Sequence, residues 1–573
     1  MKIPSHLKKY IVEQNYKNYT YIDQACWRFI MKISINFFKE NADPVYIEGL
    51  NKTGITLNKI PSIKSIDQKL SHFGWRAVCV RGFIPPNAFM EFQSLKILPI
   101  AADMRNHKHI TYTPSPDIVH EAAGHAPIIA NPDYAQYLIN YGETAAKAIM
   151  SSEDLDIYYA IRELSDIKEN INATSKEVEN ADKKLKEKIK SISYISESAI
   201  LARMNWWSVE YGLIGDINNP KIYGAGLLSS VGESENCFKN TVEKIPFNID
   251  CINYSYDITE QQPQLFIIPN YKFLSKELKK LSKKMAYKIG GVYGLETAKK
   301  AKTLCTVELD KLIQVSGIVN NIITNKKNQI NFISFSGPSQ ICLNNKEILS
   351  HGADYHIHGY SSPIGKLVGL NKPIHKLSSS EINKLNLYQN EDITLEFENK
   401  IYVSGKINNI LKIKSRIILI TFKNCTVKYN KEILFQPEWG NYDLICGLKV
   451  TSVFGGPSDS SKYYEKIKFK KSRYEKYNFK KTITEKNVIL NKLFKQISEL
   501  KNTKENIPYL YNIYKEMNKE SINDWLLKYE FLEATNCNRD INWINDIYLD
   551  LEQKSNKNSD LSRAIKRALK LFS

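Results

Sequence analysis

The sequence has no Cys-x-x-Cys pair. Its nine cysteines, at Cys26, Cys79, Cys237, Cys251, Cys305, Cys342, Cys425, Cys446 and Cys537, stand far apart and are odd in number. That pattern argues against a zinc ribbon or a disulfide framework, and it suits a reducing, cytoplasmic compartment. The amino terminus, MKIPSHLKKYIVEQ, lacks the apolar stretch of a secretory leader. No run of about 18 apolar residues occurs, so no membrane span is expected. Nor does one segment carry the charge. The formal net charge of +19 comes from lysines spread along the whole chain, which reads as a general lysine bias rather than as a nucleic-acid or membrane patch.

What is present is ordinary globular composition, 43% apolar and 25% charged, in 573 residues. A chain of that length predicts two to four domains. Residues 1–310 read as mostly helical with short turns, and Asn131-Pro132-Asp133 is a helix start with a capping Asn and Pro at the first position. Residues 165–195 carry Ile167, Ile171, Val178, Leu185, Ile189 and Ile192 at helical spacing, which predicts a solvated amphipathic helix or helical hairpin packed by one face. From 311 to 465 short β-branched runs alternate with Gly, Asn and Ser turns. There Val315-Ser-Gly-Ile-Val-Asn-Asn-Ile322 resembles Val403-Ser-Gly-Lys-Ile-Asn-Asn-Ile410. Each is followed by Asn-Lys-Glu-Ile-Leu, at 345–349 and 430–434. An internally duplicated β unit, forming a sandwich or barrel, is therefore expected. Residues 466–573 return to helical patterning as a basic carboxyl-terminal region.

The chemistry concentrates in Ser115-Pro-Asp-Ile-Val-His-Glu-Ala-Ala-Gly-His125. Ser115 can cap a helix that Pro116 opens and Asp117 favours electrostatically. His120 and His125 are five apart, and on an ideal α-helix their rings diverge by about 140°. Both reach one metal if the helix ends between them, and Gly124 is the expected break. The spacing speaks against a zinc hydrolase with His-Glu-x-x-His on one helical face. A third, carboxylate ligand is expected from elsewhere. Glu210, a lone acid inside Trp206-Trp-Ser-Val-Glu-Tyr-Gly-Leu213, is the candidate. Two imidazoles and one carboxylate form the triad of iron(II) oxygenases.

Three motifs, Pro-Asp-Ile-x-His-Glu-x-x-Gly-His-x-Pro at 116–127, Trp-x-x-Val-Glu-x-Gly-Leu at 206–213 and Tyr223-Gly-Ala-Gly-Leu-Leu-Ser-Ser-x-Gly-Glu233, resemble the aromatic amino acid hydroxylases. Enzymes acting on phenylalanine are the most similar kind. The resemblance covers roughly residues 1–300. It implies a mainly α catalytic domain of that family, followed by the duplicated β-rich domain and the helical carboxyl-terminal region. It also implies a pterin-dependent monooxygenase using iron(II), a tetrahydropterin and dioxygen on an aromatic amino acid. Carried over by position, His120, His125 and Glu210 match the iron ligands. Phe83, Ile84 and Phe89 fall in the pterin-binding stretch, and Glu121 matches a carboxylate near it. Arg105 and Thr113 stand where the substrate carboxylate is gripped. Ser229 and Glu233 match residues behind the site, and Trp206 matches the aromatic wall of the substrate pocket. A tryptophan there accompanies phenylalanine or tyrosine as substrate, and phenylalanine is favoured because tyrosine would bury a hydroxyl. Asn205, Ala122 and Ala123 depart from the family's pattern beside the site. The family's amino-terminal regulatory domain is not expected.

Other readings compete. One is a tryptophan or tyrosine hydroxylase, and another is a non-enzymatic nucleic-acid or membrane adaptor on a hydroxylase-like scaffold. Basic and aromatic residues interleave between Lys466 and Lys486, a texture shared by single-strand nucleic-acid binders and solvated linkers. His351-Gly-Ala-Asp-Tyr-His-Ile-His358 hints at a second metal, since His356 and His358 would share one face of a strand, but a Gly-rich turn with exposed histidines is the favoured reading.

Overall fold

A computed structural model describes residues 3–107, 110–111, 116–169, 173–258, 260–467, 485–500, 504–557 and 559–572. The fold begins on helix Tyr21–Asn41. Thr20 accepts from the Asp23 amide and Asp23 accepts from the Thr20 amide, a capping box that satisfies two otherwise orphaned donors. Trp27, Phe29, Ile30, Ile33 and Phe38 of this helix are buried. Helix Pro132–Ala145 starts where Asn131 accepts from the amides of Asp133 and Tyr134.

The carboxyl-terminal helices join this same core. Leu526, Phe531, Leu551 and Ala568 belong to the apolar cluster that holds Trp27, Tyr137 and Trp207. Ion pairs lie along the seam: Arg28 to Glu530 at 2.5 Å, Lys32 to Glu533 at 2.6 Å and Arg567 to Glu235 at 2.7 Å. Helix Asp560–Leu569 therefore backs helix Val231–Asn236, which carries Glu233.

Helices Ser152–Glu169 and Ser175–Lys190 pack on each other through Ala160, Leu164, Ala181 and Leu185. Two helices closing on a shared apolar face, rather than one solvated helix, account for the spacing. Ile171 lies outside the described residues, as do positions 468–484 of the basic and aromatic stretch.

Among the described residues four sheets form. Strands Arg76–Val80 and Ile97–Ala101 pair in parallel and precede the ligand-bearing helix. A four-stranded sheet runs in the order Asn219–Ile222, Leu213–Asp216, Gln264–Ile268, Glu243–Pro246. Beyond residue 303 two larger sheets follow, one built on the hairpin Ile313–Thr324/Ile330–Leu343 and the other on Ile401–Ile413/Arg416–Tyr429. The first hairpin shifts register between Ser316 and Ile318 and between Val319 and Asn321. The second shifts between Ser404 and Lys406 and between Ile407 and Asn409. The residue skipped first is Gly317 in one and Gly405 in the other. A β-carbon there would meet Phe335 Cβ at 2.9 Å and the Lys423 carbonyl oxygen at 3.0 Å, respectively. Close backbone approach at a bulge is a usual reason for a strand glycine. No helix among the described residues is long and apolar enough to cross a membrane.

Candidate metal centre

The two histidines lie on a π-helix, Val119–His125, which runs on through Gly124 without a break. The expected interruption is not needed. A π-helix bonds residue i to i+5, so residues five apart come onto one face, and such turns are frequent at functional sites. Gly124 serves a different purpose. A β-carbon there would stand 2.9 Å from the Ala225 carbonyl oxygen, so the glycine lets the ligand helix approach helix Ala225–Leu228. Glu210 ends a second short π-helix, Trp206–Glu210.

These elements bring three ligand groups together. His120 Nε2 and His125 Nε2 are 3.2 Å apart. Glu210 offers Oε2 at 3.4 Å from the first and Oε1 at 3.5 Å from the second. Ligand atoms bonded to one metal at about 2.1 Å, at right or tetrahedral angles, stand about 3.0–3.4 Å apart. The donor set and its spacing therefore fit a single divalent ion. Ser229 fixes the tautomer of His120. Its hydroxyl donates to the Ala225 carbonyl at 2.7 Å and so accepts from His120 Nδ1, 2.9 Å away. With Nδ1 protonated, Nε2 presents a lone pair to the cluster.

Burial sets the electrostatics. It pushes the Glu210 carboxyl up to about 8, against which a hydrogen bond from Asn205 acts. It also lowers His120 to about 4, with the Arg105 charge as a lesser cause. His125 is lowered as well, first by burial and then by His120. Glu121 is raised by burial, then by Glu210 and Asp117, and its Oε2 is buried without a hydrogen-bond partner. A site that raises a carboxyl and lowers two imidazoles disfavours the charged form of each, and a bound cation offsets that penalty for the carboxylate.

The remaining residues divide. Arg105 is buried, and its fork is occupied by Asp117, with Nε to Oδ2 at 2.7 Å and Nη2 to Oδ1 at 2.8 Å. Its Nη1 donates to the Ser229 carbonyl at 3.1 Å. Its Nε and Nη2 thus hold a protein carboxylate. Asp117 also accepts from the His120 amide at 3.0 Å, a role beyond the helix-start charge that the sequence suggested. Thr113 lies outside the described residues, as does the proposed cap Ser115.

Trp206 stacks on Tyr256 at 4.3 Å and on Tyr211 at 4.6 Å, and its Nε1 donates to Gln262 at 3.2 Å. Glu233 accepts from the Gln262 amide at 3.3 Å, and burial pushes its carboxyl up to about 7. The sequence offered no sign of Gln262 or Tyr256, since neither lies in a motif. Phe83, Ile84 and Phe89 lie on the segment between strand Arg76–Val80 and helix Pro86–Ser94 and on that helix. Ile84 and Phe89 pack in a small apolar cluster with Leu7, Val80 and Phe92, and the backbone carbonyl of Phe83 accepts from Tyr158 at 3.4 Å.

Known proteins resemble this chain over its first half. The chain is 26% identical over 268 residues to phenylalanine-4-hydroxylase of Chromobacterium violaceum, covering 46% of this chain and 75% of that protein. It is 25% identical over 276 residues to phenylalanine-4-hydroxylase of Pseudomonas aeruginosa, covering 48% and 88%. A solved structure of the Chromobacterium violaceum enzyme covers 49% of this chain and 92% of its own, with 23% identity and a TM-score of 0.38. Residues 9–154 and 190–330 match the profile of the biopterin-dependent aromatic amino acid hydroxylases, and the interval left out holds most of the hairpin Ser152–Glu169/Ser175–Lys190. Half of the chain matches that profile, and the chain belongs to the biopterin-dependent aromatic amino acid hydroxylase family.

Proposed function

We propose that the protein is a cytoplasmic monooxygenase that converts L-phenylalanine to L-tyrosine with dioxygen and a tetrahydropterin, using iron(II) held by His120, His125 and Glu210. The observation that carries this reading is the convergence of three ligand atoms from two π-helices, with Ser229 holding one imidazole in its metal-binding tautomer. Two imidazoles and a carboxylate leave coordination positions open for other groups, unlike a closed structural site. When bound, the iron and the reduced pterin together supply the activation of dioxygen.

The chain's own residues bind, orient and exclude water. Ser229 and Asp117 fix His120 from its ring and from its amide. Arg105 ties Asp117 to the Ser229 backbone and so acts as a positioning residue. Glu121, buried beside the ligands with its carboxyl raised by burial, is assigned to the pterin side of the site. Phe89 is assigned to pterin stacking, with Phe83 and Ile84 on the same segment. Trp206, held by two tyrosines and Gln262, forms a rigid side of the amino acid pocket, and Glu233 steadies it through Gln262. A large fixed wall favours the smaller phenyl ring over indole. Eight of the nine cysteines are buried and all nine are free, which supports a reducing compartment. We infer further that the two bulged hairpins descend from one duplicated β unit, because bulges and glycines recur at matching places. The boundaries at about residues 310 and 465 then mark the β-rich region, whose first strand already starts at Leu304, and the helices after it return to the core of the first region.

Iron analysis of the purified protein, joined to pterin-dependent turnover with phenylalanine, tyrosine and tryptophan in competition, tests this function. The expected result is one iron in the cluster and the highest kcat/KM for phenylalanine. A higher value for tryptophan would overturn the substrate assignment. Full turnover without iron would overturn the metal.

A further inference from the structure

A second cluster of ligand groups lies in the β region, remote in sequence from the hydroxylase motifs. His351 Nδ1 and His356 Nε2 stand 3.3 Å apart, and Asp443 Oδ2 is 3.8 Å from the first and 4.0 Å from the second. Asp443 is 3% exposed, and its Oδ2 is buried without a hydrogen-bond partner. At those separations neither imidazole bonds to it. A buried carboxylate oxygen left unpaired costs several times what a neutral polar atom does, so an unpaired one aimed at two nitrogen donors asks for a cation.

The rest of the carboxylate is fixed. Its Oδ1 accepts from the Thr421 hydroxyl at 2.6 Å. The backbone carbonyl of Asp443 accepts from the Tyr360 hydroxyl at 2.7 Å. Both histidines are tied to strand Ile330–Leu343: the Ile341 amide donates to the His351 carbonyl at 2.9 Å and the Ser339 amide to the His356 carbonyl at 3.0 Å. Asp443 sits on Tyr442–Ile445, which pairs with the other large sheet. His356 is buried, whereas His358 is exposed, so the histidines that converge are five apart rather than two. The Tyr355 hydroxyl also interacts with the Asp443 carboxyl, and its exposed ring lies 4.7 Å from the His356 ring.

We propose that His351, His356 and Asp443 bind a second divalent transition-metal ion that clamps the two large sheets together. A circle through the three atoms has a radius of about 2.2 Å, and zinc bonds to histidine nitrogen and carboxylate oxygen are about 2.0–2.2 Å. The nitrogen-rich donor set favours zinc or iron(II) over calcium or magnesium, which take oxygen. Thr421 supplies the outer hydrogen bond that ligating carboxylates usually have.

Zinc is the probe, measured by elemental analysis on the metal-stripped full chain after gel filtration. The unchanged chain should take up two zinc ions. The His120→Ala/His125→Ala chain, with its first cluster broken, should take up one. The His351→Ala/His356→Ala chain should also take up one and keep its iron-dependent hydroxylation, which reports that it is folded. A His120→Ala/His125→Ala chain that binds no zinc overturns the proposal, and so do two zinc ions in His351→Ala/His356→Ala. Should the latter variant fail to fold, the His120→Ala/His125→Ala result decides alone.

Discussion

Two histidine pairs in this chain share a spacing of five, and each meets a carboxylate from a distant segment. They reach that arrangement by different means. His120 and His125 converge because the backbone winds as a π-helix inside the main core. His351 and His356 converge because an irregular segment is pinned at both residues to a strand, and Asp443 is delivered by another sheet. In the first cluster the fixed outer partner is Ser229 on an imidazole. In the second it is Thr421 on the carboxylate. Sequence spacing is therefore a poor guide to metal geometry, and what the two clusters have in common is a buried acid aimed at imidazole nitrogens.

The largest expected effect separates the clusters by function. Glu210→Ala, His120→Ala and His125→Ala should each lower pterin-dependent turnover by more than about 100-fold, beyond the range seen when only an outer partner of a ligand is lost. His351→Ala should leave it within about twofold, since no hydroxylase motif includes it. Near-normal turnover in Glu210→Ala at full iron loading would remove the ligand assignment and the comparison with it.

Ser229→Ala should cost about 10–100-fold in iron affinity, because His120 loses the acceptor that selects its tautomer. Iron titration checks this, and Ser229→Thr, which keeps the hydroxyl, should recover most of the loss. An unchanged affinity in Ser229→Ala would show that packing alone orients the ring.

The core can be probed from the far end of the chain. Phe531→Ala should destabilise the protein by about 3–5 kcal/mol, a large part of a typical total of about 5–15 kcal/mol. It should reduce iron-loaded enzyme although it lies outside every hydroxylase motif, because Phe531 shares the cluster of Trp27 and Trp207. A chain ending before residue 485 exposes that surface and should be insoluble. A well-folded, iron-binding truncation would show that the carboxyl-terminal helices are dispensable.

The smallest effect concerns protons. Glu210 has its carboxyl raised to about 8 in the metal-free protein, so below that pH it is mostly protonated and a metal must displace the proton. At pH 7 metal uptake by the first cluster should release about one proton, and well above pH 8 close to none. His120, lowered to about 4, is already neutral there and contributes nothing. For the metal-free protein the sign is fixed by the raised pKa. The folded state binds the extra proton, so the Glu210 contribution to stability falls as pH rises from the ordinary carboxyl value to about 8 and is flat beyond. Calorimetry of the His351→Ala/His356→Ala chain in two buffers of different ionisation heat isolates the first cluster. Proton release that does not vary with pH would contradict the assignment of the proton to Glu210.

Much of the hydroxylase half was legible because its signals are local. Asn131 and Pro132 announce a helix whose cap is made by those residues. Glu210 stands out as an acid in an apolar run, which burial punishes unless it has a partner. The same signal was present at Asp443, in Tyr442-Asp-Leu-Ile445, but it pointed nowhere without the partner strand. The pairing of Arg105 with Asp117, twelve residues on, was not legible, because Asp117 was visible only as a helix-start charge.

The sequence by itself determined the family, the three residues proposed as hydroxylase ligands and the broad order of a mostly helical, a β-rich and a helical region, but not the two small sheets inside the first. These follow from residue type and period, which fix local backbone preference and which side chains must be buried. Only the tertiary structure decided that the ligand helix winds as a π-helix, that Gly124 is there for Ala225, and that the carboxyl-terminal helices complete the catalytic core. It alone also set His351 and His356 opposite Asp443. Each of these depends on contacts between residues far apart in the chain, and burial makes such contacts decisive while sequence spacing leaves no trace of them.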